Sequence, residues 1–78
     1  MFNNFADRLY ILRRLRNVNV SECARMVDVT PTAVSSWENN RSFPHGKVLL
    51  KLTQQLNCSL PWLMGEAPID SIEGAEER

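Results

Sequence analysis

The stretch Val20–Arg41, VSECARMVDVTPTAVSSWENNR, constrains the fold more than any other part of the chain. Just before it, Asn19 is followed three residues later by Glu22. This spacing predicts a helix start, because the Asn side chain can accept a backbone N–H and the Glu can reach back to the cap. Thr30-Pro31 predicts a second start, since Thr is a good cap and proline at the first helical position lacks only an unneeded N–H. The stretch is therefore predicted to fold as two short helices joined by a tight turn.

These two helices, over about residues 20–28 and 31–39, each have one apolar side. The apolar residues that share a helical face are Cys23, Ala24 and Val27 in the first helix, and Val34 and Trp37 in the second. The other side of the second helix carries small polar residues, namely Thr32, Ser35, Ser36 and Asn39. This is the shape of a helix-turn-helix unit, whose second helix lies in the DNA major groove, but it is also that of an ordinary αα-hairpin. Spacing alone favours neither.

Three further helices are predicted over about residues 4–17, 46–56 and 60–64. Asn4 can cap the first, and Ser59 the last, which ends at Gly65. The sequence thus predicts an all-α fold, with five helices in one domain over residues 1–65. Residues 66–78 contain few large apolar groups and are predicted to be disordered, or a weak extra turn associated with a dimer through Ile69 and Ile72.

Charge is unevenly distributed along a chain whose formal net charge is zero. Residues 1–65 carry eight Arg and Lys side chains and four Asp and Glu, a net charge of +4, whereas residues 66–78 carry −4. A basic body is compatible with nucleic-acid binding, even though the whole chain is neutral. Solvation of a frayed terminus is the simpler explanation of the acidic tail.

Several classes of site are not expected. No apolar run approaches the ~20 residues that span a bilayer, and no signal peptide is recognisable, so we expect a cytoplasmic protein without a membrane partner. His45 is the single histidine, and Cys23 and Cys58 have no metal-ligand spacing, so we expect no metal and no cofactor. Both thiols are interpreted as buried structural groups. No nucleophile–base pair or glycine-rich phosphate loop is present, and an enzyme is not expected.

Longer segments resemble a known family. They are the RLxxLR spacing from Arg8 to Arg13, VSECARMVDVTPTAVSSWENNRSFP, and VLLKLTQQLNCSLPWLMGE. Together they are similar to the lambda-repressor-like helix-turn-helix proteins, also called the XRE family, which include phage repressors and Cro-type proteins. The resemblance covers roughly residues 5–65. It implies a five-helix domain, usually dimeric, that binds operator DNA.

The resemblance also implies roles for individual residues. Those implied to face DNA bases are Pro31, Thr32, Ser35 and Ser36. Those implied to contact phosphates are Asn19, Val20, Asn39, and the backbone of Asn40 and Arg41. Arg13 and Glu38 are implied to form a structural ion pair, and Leu60, Pro61 and Met64 to form a dimer interface.

Two functions are carried forward. The first is a dimeric transcriptional regulator of phage or bacterial type, bound to double-stranded DNA at a palindromic operator. Because its base-facing residues are short hydroxyl and methyl groups, we expect a loose base code, with DNA shape adding to specificity. The alternative is a protein-interaction module with the same fold, such as an antitoxin whose apolar-dotted tail covers a partner.

Overall fold

The computed structural model describes residues 4–72, and within them it contains five α-helices. Their bounds are α1 Phe5–Leu15, α2 Val20–Met26, α3 Pro31–Glu38, α4 Gly46–Gln55 and α5 Leu60–Leu63, and a short 3₁₀ turn follows at Ile69–Ser71. The predicted all-α, five-helix fold is confirmed. Over the same residues, no helix is long and apolar enough to cross a membrane.

Side-chain caps start four of these helices. Asn19 and Glu22 form a reciprocal capping box: the Asn19 side chain accepts from the Glu22 N–H at 2.8 Å, and the Asn19 N–H donates to the Glu22 carboxylate at 2.9 Å. The other helices with a side-chain cap begin after Asn4, Thr30 and Ser59. Each such bond satisfies a first-turn N–H that has no partner inside its helix, which explains why the helices start at these residues.

A left-handed residue follows the end of each of the five described helices. These residues are Asn17, Asp28, Asn40, Asn57 and Gly65, with φ between 58° and 86°. After α3, the Asn40 N–H donates to the Trp37 carbonyl at 3.2 Å and the Arg41 N–H to the Ser36 carbonyl at 2.9 Å, which is a Schellman cap. The helices end one or two residues earlier than predicted, because the predictions counted the capping residues as helical.

The core lies where the inner faces of the five helices meet. α1 packs against α3 and α5, α2 packs on α3, and α4 packs on α5. Each helix contributes at least one core residue that is 0% exposed: Leu9, Leu12, Cys23, Val34, Leu52 and Leu63. Trp37 and Val34 fix the inner face of α3 in this core, so that the opposite face of the helix points outward.

Trp62 ties the end of the described chain to α1. Its indole Nε1 donates to the Ile69 carbonyl at 3.0 Å, and Ile72 is only 7% exposed. On its other side, the buried guanidinium of Arg8 donates to the Trp62 carbonyl at 2.8 Å and lies 4.7 Å from the indole ring. Residues 66–72 therefore extend the fold, and Ile72 packs inside its own chain. The remainder of the acidic tail, residues 73–78, lies outside the described residues.

Candidate nucleic-acid interface

The outer face of α3 is a small, polar surface on a rigid helix. Pro31, Thr32 and Ser35 are exposed, whereas Val34 has no exposed surface and Trp37 is 5% exposed. The helix is short, but both of its ends are closed, by the Thr30 cap and by the Schellman turn. Three of the four residues expected to face bases therefore lie together on accessible surface.

The fourth of these residues, Ser36, is half-buried and already has a partner. Its hydroxyl lies 2.9 Å from the hydroxyl of Ser42 in the loop after α3. Asn39 also has a partner, because its Nδ2 donates to the Ser35 carbonyl at 2.8 Å. A hydroxyl and an amide can each make further hydrogen bonds, so both remain able to bind a ligand. Ser42, which the sequence prediction omitted, belongs to this surface.

The start of α2 borders a groove of about 370 Å³. Its lining comprises Arg13, Arg14, Asn17, Val18, Asn19 and Glu22. The Asn19 side-chain oxygen is used in the capping box, but no hydrogen bond within residues 4–72 occupies its Nδ2 or the N–H of Val20. These groups can donate hydrogen bonds to a phosphate oxygen at a helix N-terminus. The Glu22 carboxylate lies at the same helix end and opposes such an anion, an effect that the sequence prediction did not include.

The phosphate contacts expected from the backbone of the loop after α3 need a correction. The backbone N–H groups of Asn40 and Arg41 were expected to grip a phosphate, but both donate to carbonyls of α3 in the Schellman cap. Among the described residues, the next N–H groups without a hydrogen bond are those of Ser42 and Phe43, both exposed. The backbone donors of this loop are thus shifted toward Ser42, while the Arg41 side chain is exposed and remains available.

Arg13 and Glu38 form an ion pair between α1 and the end of α3. Arg13 Nε lies 2.6 Å from Oε2 of Glu38, and Nη2 lies 2.9 Å from Oε1. Both side chains are 9% exposed, and Arg13 Nη1 also donates to the Val18 carbonyl at 3.0 Å. The hydrogen bond to Glu38 raises the pKa of Arg13, so the guanidinium stays charged. The pair holds the last turn of α3 against α1.

The exposed charge that follows α3 in the sequence is basic. Between Glu38 and Glu66 the sequence contains no acidic residue, and the exposed cations there are Arg41, Lys47 and Lys51. The eight cations of residues 1–65 are not equally accessible, because Arg8 and Arg13 are buried. Five of the eight cations are therefore exposed: Arg41, Lys47 and Lys51 after α3, and Arg14 and Arg25 on α1 and α2.

The residues expected at a dimer interface are accessible to different degrees. Leu60 is 39% exposed, Pro61 is exposed, and Met64 is half-buried against the core. All three lie on or next to α5, which is separated from α3 in the sequence by α4. An exposed leucine beside a proline and a methionine forms a small apolar patch at this end of the domain.

Both thiols are held in their neutral form. Burial raises the pKa of Cys23 to about 11 and that of Cys58 to about 11. Because the thiolate is the reactive species, both cysteines are poor nucleophiles near neutral pH.

The chain was compared with known proteins. Residues 9–63 match the model of a family described as Helix-turn-helix. Repressor protein C2 of Salmonella phage P22 is 31% identical over 58 residues, which are 74% of this chain but 27% of that protein. The chain thus spans about a quarter of the length of this curated relative.

Two solved structures of the P22 c2 repressor are similar to the fold. One is its crystal structure in complex with the synthetic operator 9T in the presence of Tl⁺, with a TM-score of 0.77 and 28% identity, covering 82% of this chain and 97% of that one. The other is the solution NMR structure of its DNA-binding domain, with a TM-score of 0.77 and 28% identity, covering 83% of this chain and 86% of that one.

Proposed function

Because the chain belongs to the helix-turn-helix family, we propose that it binds double-stranded DNA in a sequence-specific way and acts as a transcriptional repressor of phage or bacterial type. One observation carries the proposal: α3 has its inner face locked in the core and its outer face free, small and polar. A helix of this kind can enter a major groove without steric obstruction. The P22 repressor, which this domain resembles, binds operator DNA through such a fold. A repressor of this type works in the bacterial cytoplasm.

Base recognition is assigned to Pro31, Thr32, Ser35 and Ser36. Their side chains are too short for the bidentate contacts that discriminate one base from another by ~1–3 kcal/mol each. Hydroxyls can bond to several base edges, and the Thr32 methyl can contact a thymine methyl. The operator is therefore read through few direct contacts, together with DNA shape and bridging water.

Phosphate binding is assigned to two sides of α3. On the α2 side, Asn19 Nδ2 and the Val20 N–H are available beside the groove. On the loop side, the Arg41 guanidinium is available. Asn39 Nδ2 contacts both the Ser35 carbonyl at 2.8 Å and the Ser35 hydroxyl at 3.4 Å, and exchange of the longer contact would let it donate to a phosphate. Contacts on both sides would clamp the helix in the groove, since phosphate contacts fix the position of a protein on the duplex.

A homodimer on a palindromic operator is part of the proposal. The apolar patch of Leu60, Pro61 and Met64 supports it, because a second copy would cover surface that is otherwise exposed to water. A two-fold dimer places its recognition helices about one DNA turn apart, ~34 Å. Met64→Asp should then give monomers in sedimentation equilibrium, and an unchanged mass would place the interface elsewhere.

The antitoxin-like alternative has lost its main support. It depended on apolar residues in the acidic tail that were free to cover a partner. Ile72 is buried in its own domain, and the Ile69 carbonyl is bonded to Trp62. We therefore propose the DNA-binding regulator in preference to it.

The test is selection of bound DNA from a random library at two salt concentrations. Enrichment of a palindrome is expected, and loss of all enrichment at low salt would refute the proposal. Thr32→Ala and Ser35→Ala should change which sequence is enriched. Arg41→Ala should weaken binding to every DNA sequence alike and should reduce the slope of log affinity against log salt concentration by about 1 per subunit. Gln55→Ala, an exposed change on α4, is the matched control.

A further inference from the structure

The outer face of α1 carries an apolar strip, formed by Tyr10, Ile11 and Leu15, to which the proposed function assigns no contact with DNA. Tyr10 is 46% exposed, and Ile11 and Leu15 are half-buried beside it. The Arg14 guanidinium donates to the Tyr10 hydroxyl at 2.8 Å, which lays the arginine along the strip. Ile11 and Leu15 also pack against the core, so the exposed apolar surface of the strip is mainly the Tyr10 ring, beside which the guanidinium groups of Arg13 and Arg14 lie. An exposed aromatic side chain of this kind can contact a second protein surface.

Shallow grooves flank this strip. One, of about 440 Å³, is lined by Tyr10, Ile11, Arg14 and Leu15. Another, of about 330 Å³, lies between α1 and the end of α3, and Asp7 is part of its lining. A facing side chain of moderate size can enter either groove, so the strip offers shape as well as apolar surface.

The charges at the ends of the strip determine the partner it fits. Asp7 and Arg14 are seven residues apart, so they lie on the same helical face as Tyr10 and Ile11. No ion pair within residues 4–72 involves either charge. The strip therefore presents a carboxylate at one end, apolar groups in the centre and a guanidinium at the other end.

We propose that this strip is a self-association surface, where α1 of one copy packs antiparallel against α1 of a second copy. A half-turn about an axis between Tyr10 and Ile11 brings Asp7 of each copy opposite Arg14 of the other. The same operation places Tyr10 opposite Ile11. The surface is thus complementary to itself in charge and in apolar character, which is the requirement of an isologous two-fold interface. Helices packed 8–10 Å apart leave Arg and Asp side chains within reach of each other.

The contact is weak because its area is small. A stable complex buries roughly 800 Å² on each partner, which one face of an 11-residue helix cannot supply. It becomes effective when two molecules are held side by side, because tethering raises the effective concentration of the second copy. Resting on the proposed function, the strip would join two copies that DNA binding holds side by side.

The test uses the full chain without DNA. The Asp7→Arg variant has arginine at positions 7 and 14, so both charge pairs between two copies become arginine facing arginine. The Arg14→Asp variant has aspartate at both positions, so both pairs become aspartate facing aspartate. Each variant alone should self-associate about tenfold more weakly than the natural chain, since two attractions become two repulsions. In an equimolar mixture, both charge pairs of the heterocomplex are attractive, and association should return to the natural level.

Sedimentation equilibrium up to millimolar concentration measures the mass, and NMR locates the contact through concentration-dependent shifts at Tyr10 and Ile11. Lys51→Asp, an exposed charge reversal on α4, is the control and should change neither. Circular dichroism of each variant establishes that it is folded. Single variants that associate normally, or a mixture that associates no better than its components, would overturn the proposal. DNA affinity of an isolated operator is measured separately, so failure here leaves the DNA-binding proposal standing.

Discussion

Removal of the Glu38 carboxylate is the sharpest test of how α3 is held. Glu38→Ala leaves the Arg13 guanidinium without its bidentate partner in a site where both side chains are 9% exposed. Breaking a buried pair from one side costs ~3–5 kcal/mol, because the remaining charge stays desolvated. For a chain of 78 residues the total free energy of unfolding is only about 4–12 kcal/mol, so this variant should lose a large share of it.

The double variant separates the two causes of that loss. Arg13→Met together with Glu38→Ala removes the stranded charge, and replacement of a buried pair by apolar groups is often close to neutral. The double variant should therefore be more stable than Glu38→Ala alone. The Val18 carbonyl loses its Arg13 donor, but Val18 is only half-buried and water can replace it.

Urea unfolding provides the measurement, with far-UV circular dichroism and the fluorescence of the buried Trp37 next to Glu38 as two probes. An unchanged m-value would show that only stability differs between the variants. Glu66→Ala, at an exposed carboxylate, is the control and should lie within ~0.5 kcal/mol of the natural chain. The reasoning fails if Glu38→Ala costs under ~1 kcal/mol, or if the two single losses simply add in the double variant.

Three other predictions concern the turns, the thiols and the end of the described chain. At Asn40, where φ is 62°, a change to Gly should be tolerated and a change to Val should cost at least ~1–2 kcal/mol in urea unfolding; equal stability of the two would contradict the left-handed turn. Burial raises the pKa of Cys23 from about 9 to about 11, so its contribution to the free energy of unfolding is complete below pH 9 and is lost as the pH rises to 11. Cys23→Ala should flatten this decline, and identical pH profiles would refute the assignment. A chain that ends after Gly65 should be less stable than one that ends after Ile72 by at least ~1.5–3 kcal/mol, because the burial of Ile72 is lost; differential scanning calorimetry of the two measures the difference.

The local structure of this protein was readable from the sequence. Five residues at the helix ends form hydrogen bonds with backbone groups three residues away, namely the capping residues Asn19, Thr30 and Ser59 and the terminal Asn40 and Gly65. Interactions over so short a distance do not depend on the rest of the fold, which is why the order and starts of the helices were predicted correctly. Capping and the spacing of apolar residues left both a helix-turn-helix unit and an αα-hairpin open. The family was indicated by the resemblance of longer segments, and the comparison confirmed it.

Other properties were decided only when distant parts of the chain met. Arg8 was counted among the cations of the basic body, but its side chain is buried, and its guanidinium donates to the carbonyl of Trp62, 54 residues away. The backbone of Asn40 and Arg41 was assigned to phosphate, yet its N–H groups close α3. Periodicity indicates which face of a helix is apolar, but it does not indicate which partner covers that face or which donors are already used. Those depend on tertiary packing, and they determine which polar groups of this domain remain free to meet DNA.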